Sequence, residues 1–325
     1  MKHFIRFLTL TILLTLAACS PAVPTDTLPT TDPAITEPSS LTSTLEPTSP
    51  PAPADTPIPS PTTLPTATEA ANWLYQIAFA ADLEEGGCCA IHVINADGTG
   101  LTNLTGESGQ FAAPAWSPDG RSLAVRRDIS DSGISLIRLN TTDGLVLLDS
   151  IESLVQGFSD APAWTPDGQS ITFQMADNDW YLYNVAAEGG GWSWLANLPA
   201  NTTSPAWSPD GTRLAFILMT HDPYRKLLYI ANSDGTGQTL LSTGEMDADH
   251  PDWSPDGKQI IFDGFQSGEW NLYIINADGG DLRQVTHTGN AFDPDWSPDG
   301  YRLAFASDRD GNYDIYTINV DGTGE

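Results

Sequence analysis

The sequence predicts an all-β protein, a six-bladed β-propeller of four-stranded antiparallel blades preceded by a disordered stalk. Two observations carry this. The stretch Pro-Ala-Trp-Ser-Pro-Asp-Gly at Pro114–Gly120 returns with small changes as Pro162–Gly168, Pro205–Gly211, Pro251–Gly257 and Pro294–Gly300. Its tryptophans, Trp116, Trp164, Trp207, Trp253 and Trp296, are spaced by 48, 43, 46 and 43 residues. A period in that range marks repeated supersecondary units, each unable to bury its apolar face alone. The second observation is the content between the tryptophans: three further short apolar runs, separated by polar turns. With the Trp strand that makes four short strands per unit, the make-up of a propeller blade.

The fourth copy, Pro251 to Thr286, shows the pieces in order. Pro-Asp-Trp is an extended start, because proline lacks the N–H that a central ladder needs. Ser254-Pro255-Asp256-Gly257 is a β-turn, with proline presetting φ, Asp bonding nearby N–H groups and Gly tolerating positive φ. Gln259–Phe262 is the second strand, and Gly264–Glu269 reads as a polar loop. Asn271–Ile275 is the third strand, Asn276–Gly280 a turn, and Arg283–Thr286 the fourth strand. Second strands recur at Leu123–Val125, Ile171–Phe173, Leu214–Phe216 and Leu303–Phe305, and third strands at Trp180–Tyr183, Leu227–Ile230 and Asp314–Ile318.

Residues 1–18 have a basic start (Lys2, Arg6), an apolar run from Phe7 to Leu16, and small residues before Cys19. This is a secretory signal, too short for a spanning helix. Its ending resembles the lipobox of bacterial lipoproteins, which implies lipid on Cys19 and an extracytoplasmic, membrane-anchored protein, periplasmic or cell-surface. Residues 19–71 hold thirteen prolines among Thr, Ser and Ala, with no Lys or Arg. Such a segment cannot bury enough apolar surface to offset its ordering entropy. Extended at about 3.1 Å per residue, about 50 residues reach at most about 150 Å. It is a stalk.

The propeller is expected over residues 72–325. Gln76–Ala80 and Ala90–Asn95 match the second and third strands of a first unit that lacks its Trp strand, and the sixth unit, from Pro294, lacks its fourth strand. Gly322–Glu325 falls within a turn through which the other copies continue, which reads either as a ring that closes imperfectly or, preferably, as a shortened form of a longer chain.

Net charge is −29, and loss of Lys2 and Arg6 with the signal takes it to −31. With no basic stripe to neutralise phosphates, nucleic acid is disfavoured as a partner. Cys88 and Cys89 are adjacent. Outside the cytoplasm a pair tends to oxidise, but Cα atoms about 3.8 Å apart lie below the usual disulfide range of about 4.4–6.8 Å. They form a strained redox pair, or stay as thiols, or bond another chain.

The repeat is similar from end to end to the TolB-type, WD40-like β-propeller repeat: Trp-Ser-Pro-Asp-Gly, Leu-Ala-Phe, Ser307–Asn312, then Asp314-Ile315-Tyr316. The resemblance covers Ile77 to Glu325 and not the N-terminal domain of TolB itself, in whose place the stalk stands. It implies a six-bladed, extracytoplasmic ring, usually a binding platform for protein, peptide or glycan without chemistry of its own, and no cofactor.

In an up-and-down blade the Ser-Pro-Asp-Gly turns share one face with the Asp-Gly-Thr-Gly turns. The other face carries the loops that vary between repeats: Glu84–Cys89, Asp128–Gly133, Asp177–Asp179, His221–Lys226, Phe265–Glu269 and Asp308–Asn312. Ligand-binding residues usually sit on such loops. The approach to each Trp is the sharpest signal there. Ala113, Ala161 and Ser204 give way to His250 and Asp293, and Ala115, Ala163 and Ala206 to Asp252 and Asp295. Asp247, Asp249, His250, Asp252, Asp293 and Asp295 are thus expected near one side of the channel mouth, suited to a hard cation or a ligand's basic group; they also read as solvated loop acids.

Asp308, Asp310, Asn312 and Asp314 space oxygen ligands like a calcium loop, but an EF-hand wants Gly at its sixth position and Glu at its twelfth, where Tyr313 and Asn319 stand. Trp192 and Trp194 offer stacking surfaces, and Trp270 is expected at a strand end. Two enzyme readings compete with the binding platform. A prolyl-oligopeptidase-like hydrolase would need Gly-x-Ser-x-Gly, which Gly106–Gln110 does not match. A metal-dependent propeller enzyme would need several His or carboxylates converging on the axis.

Overall fold

The computed structural model describes residues 76–81, 89–106, 110–127, 133–142, 145–156, 159–177, 179–242 and 244–325. The signal segment, Cys19, the stalk, Cys88 and most of the two loops Glu84–Cys89 and Asp128–Gly133 lie outside them.

Six antiparallel sheets follow one another along the chain. The first has three strands: β1 (Gln76–Ala81), β2 (Ala90–Asn95) and β3 (Thr102–Asn103). The second holds β4 (Phe111–Trp116), β5 (Ser122–Arg127), β6 (Gly133–Thr142) and β7 (Leu145–Gln156). The third holds β8 (Ser159–Trp164), β9 (Ser170–Asp177), β10 (Asp179–Ala186) and β11 (Trp192–Trp194). The fourth is β12 (Thr202–Trp207), β13 (Arg213–His221), β14 (Tyr224–Asn232) and β15 (Thr239–Leu240). The fifth is β16 (Asp247–Trp253), β17 (Gln259–Gln266), β18 (Glu269–Asn276) and β19 (Arg283–Gln284). The sixth is β20 (Ala291–Trp296), β21 (Arg302–Ser307) and β22 (Asp314–Asn319). Consecutive strands pair within every sheet, so this is the all-β propeller that the repeats predict.

The repeated turn closes on itself. Gly257 N–H donates to Ser254 O (2.8 Å), Ser254 Oγ donates to Asp256 Oδ1 (2.8 Å), and Lys258 N–H donates to the same carboxylate (3.1 Å). The turns also touch one another from sheet to sheet: a Cβ on Gly257 would meet Pro209 Cδ at 3.7 Å, and one on Gly300 would meet Pro255 Cδ at 3.8 Å. The tryptophans staple neighbours, with Trp164 Nε1 donating to Ala115 O and Trp253 Nε1 to Ala206 O, each at 3.0 Å. Five apolar clusters fill the spaces between consecutive sheets. Each draws on two neighbouring repeats, as where Ile217 and Leu228 meet Trp253, Ile260 and Phe262. No sheet could bury these residues alone.

Two expectations change. The loop expected at Gly264–Glu269 is mostly strand: β17 and β18 run to a two-residue turn, Ser267–Gly268, with φ of 57° and 94°. Both residues have positive φ, the geometry that matches strand twist in a tight hairpin. The loop at His221–Lys226 likewise shrinks to Asp222–Pro223, and that at Asp177–Asp179 to the span between β9 and β10. The fourth strand expected at Arg283–Thr286 pairs as strand only over Arg283–Gln284. Beyond it Val285 N–H still donates to Leu272 O (2.7 Å), and then the Thr286 hydroxyl takes over, accepting from Leu272 N–H (2.9 Å). Thr105 and Ser242 do the same for Ile91 and Leu228.

Candidate functional site

All five Trp strands carry the same irregularity. Register slips between Ala112 and Ala115, Asp160 and Ala163, Thr203 and Ala206, Asp249 and Asp252, and Phe292 and Asp295. Inside each slip one non-glycine residue has positive φ: Ala113 (47°), Ala161 (45°), Ser204 (49°), His250 (42°) and Asp293 (50°). A β-bulge re-aims the side chain it carries, and the left-handed region suits His and Asp better than Ala. At these five equivalent positions the first three side chains are small, and the last two are His and Asp.

His250 and Asp293 meet. His250 Nδ1 lies 2.9 Å from Asp263 Oδ1 and 3.0 Å from Asp293 Oδ1. Asp263, on β17, is 1% exposed at its side chain, whereas His250 and Asp293 are 46% and 53% exposed. Behind them Asp249 forms an ion pair with Lys226 and accepts from Ser204 Oγ at 3.0 Å. Asp252 bridges sheets five and six by accepting from Trp253 N–H and Trp296 N–H, each at 2.8 Å. Asp247 stands apart from this group, accepting from Arg225 Nε at 2.9 Å and Lys226 N–H at 3.0 Å.

Crowding sets the protonation states. Burial opposes the His250 imidazolium, but Asp293, Asp249 and Asp263 outweigh it and hold its pKa well above the usual value. Burial also works against the Asp249 carboxylate, yet His250 and Lys226 together hold its pKa below the usual range. Asp263 goes the other way, pushed up by burial. Asp252 is raised to about 8 by burial and by Asp295, and Asp295 to about 6 by burial and by Asp293. Asp295, His250 and Asp293 are exposed, so this cluster of acids around one imidazole opens to water.

Rings border the acids. Phe265, Trp270, Phe292 and Tyr313 form a row with successive centroids 5.4, 5.9 and 5.9 Å apart. Trp270 packs at the start of β18, as expected. Phe292 directly precedes Asp293 on β20, so the row runs past the acids, and the Tyr313 hydroxyl pKa is raised by burial and then by Asp308 and Asp293. Trp192 and Trp194 are exposed on β11 and stand edge-to-face with Tyr183 and Tyr181.

Of the sequence candidates, the structure brings together Asp249, His250, Asp252, Asp293 and Asp295, and leaves Asp247 on Arg225. Asp263 and Lys226 were missed. The available signal was a lone carboxylate after Ile260-Ile261-Phe262, at a register position where the other Trp-bearing sheets hold Arg126, Gln174, Ile217 and Ala306. In the calcium-like loop, Asp308 accepts from Asn290 N–H and Nδ2, and Asp310 from the Tyr316 hydroxyl. Among the described residues, only His250, Asp263 and Asp293 bring three such donor atoms within 4.8 Å of one another. Asp308, Asp310 and Asp314 do not. Cys89 is half-buried, and its partner in the candidate redox pair, Cys88, lies outside the described residues.

Residues 218–325 match the sequence profile of the TolB beta propeller domain. The TolB resemblance of the repeats therefore holds over that stretch. A search of curated protein sequences finds no match. Among solved structures, the fold is similar to TolB from Acinetobacter baumannii, with 19% identity and a TM-score of 0.63 over 77% of this chain and 62% of that one. The chain thus spans less than two thirds of that protein's length. It is similar to a putative TolB from Agrobacterium tumefaciens, at 23% identity and a TM-score of 0.60, over 76% of this chain and 87% of that one. It is also similar to an oligogalacturonate lyase in complex with manganese, at 16% identity and a TM-score of 0.51, over 76% and 72%. At these identities the likeness is one of fold.

Proposed function

We propose that this protein is an extracytoplasmic binding platform, tethered to a bacterial membrane by lipid on Cys19, whose propeller holds a protein, peptide or glycan ligand by a basic group and performs no chemistry of its own. The carrying observation is the asymmetry of the bulge positions. Ring geometry is served by Ala113, Ala161 and Ser204, so it does not dictate the His250 and Asp293 that replace them, nor the Asp252 and Asp295 that replace alanines. What a repeat does not need for packing is available for binding. The aromatic row beside the acids adds flat apolar surface, and a cation there gains from ring faces as well as from carboxylates. The segment from Lys2 to Cys19 supports the address.

The test is calorimetric titration of the full chain with a pentalysine peptide, with chelator present throughout. Binding is expected at low salt, weaker at high salt, and at least tenfold weaker in Asp295→Asn. Equal affinity for a pentaglutamate peptide, or no loss in Asp295→Asn, would sink the proposal.

A further inference from the structure

We propose that His250, Asp263 and Asp293 form a site for one divalent transition-metal cation, held across the boundary between the fifth and sixth sheets. The inference shares His250 and Asp293 with the basic-ligand reading but does not depend on it.

The donor set is mixed, one imidazole nitrogen and two carboxylate oxygens. All three donor atoms lie within 4.8 Å of one another. Ligands about 2.1 Å from a six-coordinate cation sit about 3.0 Å apart along a cis edge, and the 2.9 and 3.0 Å contacts that His250 Nδ1 makes with the two carboxylates in the ion-free cluster already have that length. The three donors are positioned by different devices. Asp263 stands on a regular, paired strand, with its side chain 1% exposed. His250 and Asp293 stand on bulges of adjacent Trp strands, where positive φ turns each away from its strand's regular alternation. The result is a buried carboxylate facing two half-exposed arms, with the remaining coordination positions open to water. A carboxylate this deep is unusual, and at its register position the other Trp-bearing sheets do without one. An imidazole with two carboxylates suits manganese, cobalt or zinc better than magnesium or calcium, which prefer all-oxygen shells. The imidazole coordinates in its neutral form, so its Nδ1 proton leaves to solvent as the ion enters.

Binding would join β16 and β17 to β20 and so stabilise the native state. The test titrates the chelator-stripped full chain with MnCl₂, ZnCl₂ and MgCl₂ by calorimetry, and follows Tm in parallel. One Mn²⁺ or Zn²⁺ per chain is expected, at least tenfold tighter than Mg²⁺, with Tm rising by about 5 °C at hundredfold saturation. Asp293→Asn is expected to fold, since Asn accepts the left-handed conformation, and to bind at least tenfold more weakly. A Cys88→Ser/Cys89→Ser variant is expected to bind as the unaltered chain does. Absence of saturable binding, unchanged affinity in Asp293→Asn, or loss of binding in the cysteine variant would each overturn the proposal. Because pentalysine binding is read with chelator present, failure of the metal site and failure of the basic-ligand reading are separate results.

Discussion

Removal of the Lys226 ammonium tests whether the cluster of Asp249, His250 and Asp263 is held together by charge. Lys226 pairs with Asp249, and the two side chains are 28% and 10% exposed. Two unit charges about 4 Å apart attract by about 4 kcal/mol at an effective dielectric of about 20, against which both desolvation costs act. Deleting one partner is worse than never having the pair, because the other charge stays buried. In Lys226→Met, Asp249 keeps Ser204 Oγ and His250 N–H as donors and the His250 imidazolium as a neighbouring charge, but loses its direct ion pair while Asp263 stays close. The expected loss is about 3 kcal/mol, the low end for a buried pair because Lys226 is partly solvated. Asp249→Asn leaves an ammonium that can reach water, and is expected to cost about 1–2 kcal/mol. The double variant should cost about 2 kcal/mol less than the sum of the singles. Urea unfolding followed by tryptophan fluorescence measures all four proteins, at a common denaturant slope. Additivity within about 0.5 kcal/mol would refute the pairing.

Two further outcomes follow from the fold. Gly264 lies on β17 where a Cβ would run into Met246 Sδ and lie 2.8 Å from Tyr273 Cδ2, so Gly264→Ala should lose about 1–3 kcal/mol by overpacking; an unchanged urea midpoint would contradict the packing. In the repeated turn, Asp210 is held below the usual carboxylate range chiefly by Ser208 Oγ–H and then by Thr212 N–H. A folded pKa below the unfolded one means stability that is present above about pH 4 and lost as pH falls through the folded value. Asp210 is exposed, so solvent screens this contribution, and Asp210→Ala should cost only about 0.5 kcal/mol at pH 7 and progressively less toward pH 2, as Tm against pH would show; a cost that is constant with pH would contradict it.

The fold was legible because its signals are local. Ser254, Asp256, Gly257 and Lys258 satisfy one another within five residues, so one copy of the turn can be read alone, and five copies give the period. The approach to each Trp was legible for a related reason: repeats in register expose where Ala113, Ala161 and Ser204 become His250 and Asp293. Hairpin lengths were not legible. Gly264–Glu269 reads as a polar loop, yet the turn at Ser267–Gly268 lets the ladder continue through Phe265, Gln266 and Glu269. Sequence alone therefore determined the number of sheets, the strand order and the face that varies. Tertiary structure decided which of the varying residues meet. Asp252 finds Trp296 N–H 44 positions away, Lys226 finds Asp249 across a sheet boundary, and Asp263 meets His250 from a strand whose pattern reads as core. The first two contacts depend on how one sheet packs on the next, and partners 23 to 44 residues apart leave no mark on the local pattern of either strand.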